Sequence, residues 1–406
     1  MRSKPRLLLA TLLAVLGFAG AGGQSVEAAP PDVAVDWNQN MLRAFATANV
    51  PPPAASRLGA IVESAVFDAV NGIERRYTPI HVQPAAPDDA SPDAAAASAA
   101  HEALVKLFPL QAPWLDAQLS ASLNDATDPG VGWGKTVADQ IIAWRSTDGF
   151  TASPPPYLPS TAAGQWQPTP GGSGAPKFRT LATTTPFALT SPSQFRPAGP
   201  PALDSARYLQ DLAEVQSVGG LTSTSRTPLE TETARFWQLD TPIAMWDRVA
   251  DDLAMANHFN LMRTARLLAL MNISIADATI AVFDAKGFYN SWRPVTVINL
   301  TRDPTWRPLM TTPYFQEYPS AHSGASGAAG AVLASVFGDD TTYTVTSAGL
   351  PGVARTFTSF SAGVAQVGDA RVFAGFHFRF SCDDAIGLGT AVADYAMSHL
   401  MLPAQD

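Results

Sequence analysis

One cysteine, few charges and almost no alternating strand pattern define this 406-residue sequence by what it withholds. Cys382 alone cannot close an intrachain disulfide, and neither a cysteine-built zinc site nor an intramolecular redox pair can form. The fold must therefore hold by packing. Charged residues make up only 15%, with 26 Lys and Arg against 35 Asp and Glu. A net charge of −9 and a pI near 5.1 argue against nucleic acid or anionic lipid as a bulk partner. Any anion site has to be local. No period of about 20–50 residues repeats, which excludes solenoids and propellers. After residue 30 no run of about 18 consecutive apolar residues occurs, the length a membrane span requires.

What is present is apolar material: 46% hydrophobic residues, enough for a large core in one domain or two. The N-terminus runs from Arg2, Lys4 and Arg6 through LLLATLLAVLGFAGA at 7–21 to small residues. That layout predicts a signal peptide over 1–28, cleaved after Ala21 or Ala28, and an exported protein, periplasmic or secreted. The apolar run is too short for a spanning helix, and no cysteine lies nearby to carry a lipid anchor, so no membrane attachment is expected once the signal is removed.

Helical periodicity dominates the remainder. SRLGAIVESAVFDAVNG at 56–72 places apolar residues at helical spacing behind a Ser and ends on Asn71-Gly72. Similar patterns occupy 93–108, 115–125, 132–146, 203–217, 227–238, 244–257, 260–287, 319–336 and 383–400, whereas TYTVTSAG at 342–349 is the only modest strand candidate. The fold class is all-α, a helical bundle. Between Pro154 and Pro201 lie about a third of the chain's 34 prolines, together with Tyr157, Trp166, Phe178, Phe187 and Phe195. That segment is too aromatic for a solvated linker, so it is expected to wrap irregularly over the helices and to cover a site. The organisation read from this is an N-terminal helical part at 29–202, containing the Pro-rich loop 154–201, and a C-terminal helical part at 203–406.

Three short segments carry chemistry. In KGFYNSWRP at 286–294, Lys286 and Arg293 are two helical turns apart and share a face if the helix extends that far, with Pro294 limiting it. Alone, such a pair is an ordinary solvated face. In EYPSAHSGASGAAG at 317–330, Pro319 suits a first helical turn. Ser320, Ala321 and His322 follow it, their amides unpaired at the positive end of the helix dipole, where oxyanions bind. The Gly and Ala residues behind them would let neighbouring helices come close. A capped helix with a surface His is the plainer reading. In ARVFAGFHFRF at 370–380, Arg371 and His377 fall on different faces of a regular helix, which puts Arg371 before the helix or at a distortion near Gly375. A core histidine explains His377 equally well by itself. Together, though, three cations, a hydroxyl, a helix N-terminus and two imidazoles form a donor set for a tetrahedral or trigonal-bipyramidal oxyanion.

K-x6-R-P at 286–294, P-S-x-H at 319–322 and R-x5-H at 371–377, in that order, resemble the three-part signature of the vanadium-dependent haloperoxidase and type 2 phosphatidic acid phosphatase superfamily. RLGAIVESAVFDAVNGIERRYTP at 57–79 and SPSQFRP at 191–197 are similar to segments of bacterial vanadium chloroperoxidase-like proteins, so the likeness covers most of the mature chain. The resemblance implies an α-helical bundle with vanadate as cofactor. His377 would be the vanadium ligand, and Lys286, Arg293 and Arg371 would neutralise the oxygens. Ser320 and the Ala321 N–H would be further donors, with His322 the acid–base group. Phe315 falls where chloroperoxidases carry an aromatic near the halide. Three positions depart from the family: Ala321 stands for a Gly, Ala370 for a Ser, and Ser381 for an Asp often found four residues after the histidine. The last would loosen the hydrogen bond orienting His377.

By this resemblance the function is a vanadium-dependent haloperoxidase, with hydrogen peroxide and halide as partners; a homo-oligomer stays open. The alternative is a soluble acid phosphatase with His377 as nucleophile and His322 as proton donor. Membrane lipid phosphatases of the superfamily are excluded by the missing spans, and the length and the aromatic loop favour the haloperoxidase. An exported oxyanion-binding protein without turnover is the third reading, and it has no use for two imidazoles.

Overall fold

In the computed structural model, residues 32–170 and 172–405 are described; the expected signal peptide over 1–28 lies outside them. The longest helix, α9 (Leu261–Tyr289), sits at the centre. It is long and apolar enough to cross a membrane, with a mean hydropathy of 1.6, but 94% of its apolar window is buried by protein. Burial on all sides explains why it lacks a polar face. Around it pack α2 (Pro52–Glu74), α11 (Ala321–Phe337) and α13 (Arg379–His399). On the far side of α2 lie α3 (Pro92–Leu107) and α5 (Pro129–Ser146), flanked by α1 (Val33–Thr47) and α4 (Ala112–Ser122). The outer helices of the second half are α6 (Ala206–Val218), α7 (Pro228–Gln238), α8 (Pro242–Ala256), α10 (Pro294–Thr301) and α12 (Phe360–Phe373). One hydrophobic core runs through both halves, from Trp37 and Phe67 to Leu333 and Val392.

Local chemistry sets many helix starts. Asp32, Ser91, Asp128, Ser205, Thr241 and Asn260 each accept a first-turn amide, and Thr227 with Glu230 forms a reciprocal capping box before α7. The small residues of α11 serve close packing. A Cβ on Gly327 would stand 2.7 Å from the Ile386 carbonyl oxygen, and one on Gly389 of α13 would stand 2.1 Å from the Gly324 carbonyl oxygen. Only glycine permits that approach of α11 to α13.

Three helices escaped the sequence reading. α1 carries Asp36, Asn38, Gln39 and Asn40 in close succession, with Asn38 set among the apolar residues of its buried face; α10 has eight residues; and α12 mixes small and charged residues without a stripe. The strand candidate becomes β1 (Tyr343–Thr346), paired antiparallel with β2 (Ala354–Phe357), whose sequence carries no strand pattern of its own.

The segment 154–201 is irregular apart from one short 3-10 turn at Arg179–Thr183, and it is pinned along α9. The buried Asp277 carboxylate accepts the amides of Phe187, Ala188 and Leu189 at 2.7, 2.7 and 3.0 Å. Arg196 grips Asp284 bidentately at 2.7 and 2.8 Å, and the Trp166 amide donates to the Asn290 carbonyl at 2.6 Å. Aromatic content thus becomes packing, and the loop brings Lys177 and Phe178 to the mouth of a cavity.

Candidate active site

Chain breaks, more than helix faces, assemble the cations. α9 ends at Tyr289 because Asn290 adopts a left-handed conformation (φ 47°), and Pro294 starts α10. Lys286 therefore sits in the last turn of α9 and Arg293 caps the next helix, so they do not share one helix face as the spacing allowed. They meet because the segment before α11 clamps both. Lys286 Nζ donates to the carbonyls of Gln316 and Glu317 at 2.9 and 2.7 Å, and Arg293 Nε donates to the Phe315 carbonyl at 2.9 Å.

Arg371 likewise departs from expectation. It lies inside α12, in its last turn, and its Nη1 donates to Gln238 Oε1. The helix stops at Phe373, and Gly375 (φ 79°) turns the chain so that His377 falls in the short link before α13. Separate elements thus remove the conflict of faces that six residues of regular helix would create.

Pro319 precedes the helix and does not open its first turn: Ser320 is the N-cap of α11 and Ala321 its first residue. The Ser320 hydroxyl accepts from the Ser323 hydroxyl at 2.9 Å, which leaves its own proton free to donate outward. The amides of Ala321 and His322, at the first two helical positions, have no intrahelical acceptor.

His377 is 2% exposed. Its Nδ1 lies 2.8 Å from Glu317 Oε1 and its Nε2 lies 3.0 Å from Arg293 Nη1. Guanidinium donates only, so Nε2 accepts and the ring proton sits on Nδ1. The Ser381 hydroxyl, at 3.4 Å from Nδ1, is too distant for a strong bond, so the loosening expected from Ser381 is offset by a carboxylate from another segment. Sequence reasoning missed Glu317. Its one signal was isolation, as the sole acid between Asp303 and Asp339.

Lys286, Arg293 and Arg371 are at most 1% exposed. Burial, then mutual repulsion, holds Lys286 well below the ordinary lysine range. Burial likewise brings Arg293 down to about 10 and Arg371 down to about 9. Glu317 is pushed up to about 7 by burial, with Arg293 and Lys286 opposing. Withdrawal from water and then the surrounding cations keep both His322 and His377 neutral, well below the ordinary imidazole range. Arg293 Nη2 and Arg371 Nε are buried without a partner. Unpaired donors on buried cations are costly, and an oxyanion would satisfy them.

A cavity of about 390 Å³ leads to this cradle, lined by Phe178, Gln238, Phe315, Ala321 and His322 among others. Phe315 is half-buried, with Lys286 Nζ 5.3 Å and the Arg293 guanidinium 5.1 Å from its ring centre. It also packs on Phe283 and Phe178 at 5.3 and 6.1 Å. His322 thus forms the wall between cavity and cradle.

A family model described as the VCPO second helical-bundle domain matches residues 266–406, the part that carries the three cations, Glu317 and both histidines. Among solved structures, that of the first bacterial vanadium-dependent iodoperoxidase is 28% identical, with a TM-score of 0.82 over 92% of this chain and 97% of that one. The chain is thus similar to a vanadium-dependent haloperoxidase over most of its length, and its second half matches that helical-bundle domain. Two structures of bacterial vanadium-dependent chloroperoxidase, apo and holo, have a similar fold at 18% identity each. Their TM-scores are 0.71 and 0.67, over 84% and 92% of this chain and 92% and 94% of theirs. No curated protein matches the chain.

Proposed function

We propose that the protein is a vanadium-dependent haloperoxidase that oxidises halide with hydrogen peroxide. The observation that carries this reading is a buried cradle of three cations, two with unpartnered donors, facing a neutral imidazole. Such a donor set fits vanadate, an oxyanion whose metal accepts one nitrogen ligand. His377 would bind it through Nε2, the lone pair that otherwise accepts from Arg293. Lys286, Arg293 and Arg371 would balance its charge, with the Ser320 hydroxyl and the Ala321 amide as neutral donors. When bound, vanadate supplies a Lewis-acidic centre at which peroxide becomes an electrophilic oxygen donor.

The chain's own residues do the rest. His322, held neutral by withdrawal from water and by three cations, accepts the proton that peroxide gives up and returns it to the product. Burial of the cations, with hydrogen bonds to the carbonyls of residues 315–317, keeps them aimed without water rearranging around them. Phe315, between cavity and cations, gives halide an apolar contact beside positive charge. Export rests on the basic-then-apolar start of the sequence.

The test is turnover. Purified protein loaded with orthovanadate should oxidise iodide or bromide in the presence of peroxide, with phosphate competing for the same cradle. If the vanadate-loaded protein oxidises neither halide between about pH 5 and 8 while the vanadate-free protein hydrolyses phosphate esters, the acid phosphatase alternative replaces this reading.

A further inference from the structure

Position 381 leaves His377 without the acid expected on the first turn of α13, yet the imidazole is held. We infer that Glu317 is the positioning residue of His377: its carboxylate, delivered by the segment before α11, fixes the ring with its proton on Nδ1. Nε2 is thereby left to bind the oxyanion's central atom. The inference rests on the proposed function for what Nε2 binds, but not for the state of the ring.

Four observations carry it. Glu317 is fully buried, and its Oε1 is 2.8 Å from His377 Nδ1. The same oxygen accepts the Phe378 amide at 3.2 Å, which aims it at the edge of the ring where Nδ1 can donate to it. At the opposite edge Arg293 Nη1, a pure donor, lies 3.0 Å from Nε2. A ring protonated on Nε2 would set two donors against each other there and leave Nδ1 facing a carboxylate, so both edges demand the same tautomer. Finally, among the described residues the Glu317 carboxylate has only His377 as an ion-pair partner within 4.0 Å, since Lys286 takes the Glu317 backbone carbonyl and not its side chain. The carboxylate's one direct ionic contact is therefore the imidazole, while Arg293 and Lys286 act on it only through space.

The reading explains why Ser381 is tolerated. Its hydroxyl approaches the same nitrogen at 3.4 Å, so an acid there would reach the place Glu317 already fills. Two buried carboxylates on one nitrogen would repel each other. The orienting group has moved from the helix after His377 to the loop before Ser320.

The experiment uses the full mature chain with 15N-labelled histidine, free of vanadate, as wild type, Glu317→Gln, Glu317→Leu and Glu317→Leu/Ser381→Asp. Long-range nitrogen–proton spectra report the His377 tautomer, assigned by its loss in His377→Gln, and calorimetry with orthovanadate reports affinity. Wild type should show the Nδ1–H tautomer. Glu317→Gln, which still offers an oxygen acceptor, should keep that tautomer and bind about tenfold more weakly. Glu317→Leu should lose the tautomer and bind about 10–100-fold more weakly. Ser381→Asp in the Leu background should restore both, which a merely structural role for Glu317 would not produce. Should Glu317→Leu fail to fold, Glu317→Gln decides alone, and wild-type affinity in that variant overturns the inference. So does an unchanged tautomer and affinity in a folded Glu317→Leu protein. A wild type that shows the Nδ1–H tautomer but binds no vanadate sinks the proposed function and leaves the orienting role of Glu317 standing.

Discussion

Far from the cradle, four helices bring three acids together without a cation. Glu63 of α2 and Asp247 and Asp251 of α8 are at most 1% exposed, beside Asn38 of α1 and Asn272 of α9. Asn38 donates to Asp251 at 2.9 Å and Asn272 donates to Asp247 at 2.8 Å, while Glu63 Oε2, Asp247 Oδ2 and Asp251 Oδ2 have no partner. Arg248, next in sequence, turns away to Asp240. Burial pushes Asp247 up to about 7 from 3.8, and burial plus the neighbouring acids raises Glu63 and Asp251 well above the carboxylate range. The folded protein therefore keeps protons that the unfolded chain releases. Stability from such a group is fully present below about pH 4 and is lost as pH rises toward about 7, beyond which the loss stays constant. A rise of about three units for Asp247 corresponds to about 4 kcal/mol over that window. Asp247→Asn keeps the shape and the bond from Asn272 but cannot ionise. Urea unfolding of both proteins from pH 4 to 8 should show the variant gaining on wild type by about this amount, whatever the offset at pH 4. A difference that stays flat across the range would refute the protonated cluster.

Two further outcomes follow from the site and its cover. His377→Ala should abolish vanadate binding measured by calorimetry, whereas His322→Ala should still bind through His377 and the cations yet turn over about 10²–10⁴-fold more slowly, because only proton transfer is lost; equal loss of affinity in both would contradict the separate roles. Asp277→Asn replaces an acceptor of three amides, two of them buried, with a group that also donates, so at least one amide loses its partner at about 1–3 kcal/mol; limited proteolysis should then cut within 178–190 sooner than in wild type, and unchanged protection would show that the carboxylate does not pin the loop.

How far the sequence reached depended on whether a feature was written along the chain or across it. α2, α5 and α9 were readable because their apolar residues recur at helical spacing, and the order of Lys286, Arg293, Ser320, His322, Arg371 and His377 was readable as a donor set. The geometry between donors was not. Spacing suggested one helix face for Lys286 and Arg293, but Asn290 ends the helix between them, and carbonyls of 315–317, invisible to any side-chain pattern, bring the two cations together. Glu317 escaped for a related reason: its bond to His377 spans 60 residues and depends on where the turn at Gly375 aims the imidazole. The acid cluster escaped most completely. Asp247, Arg248, Asp251 and Asp252 fall at helical spacing, yet only Arg248 and Asp252 point outward; α1, α2 and α9 close over the other two. A charge pattern on one helix carries no information about its partners, so the same letters encode a solvated surface or a proton-holding core according to what packs against them.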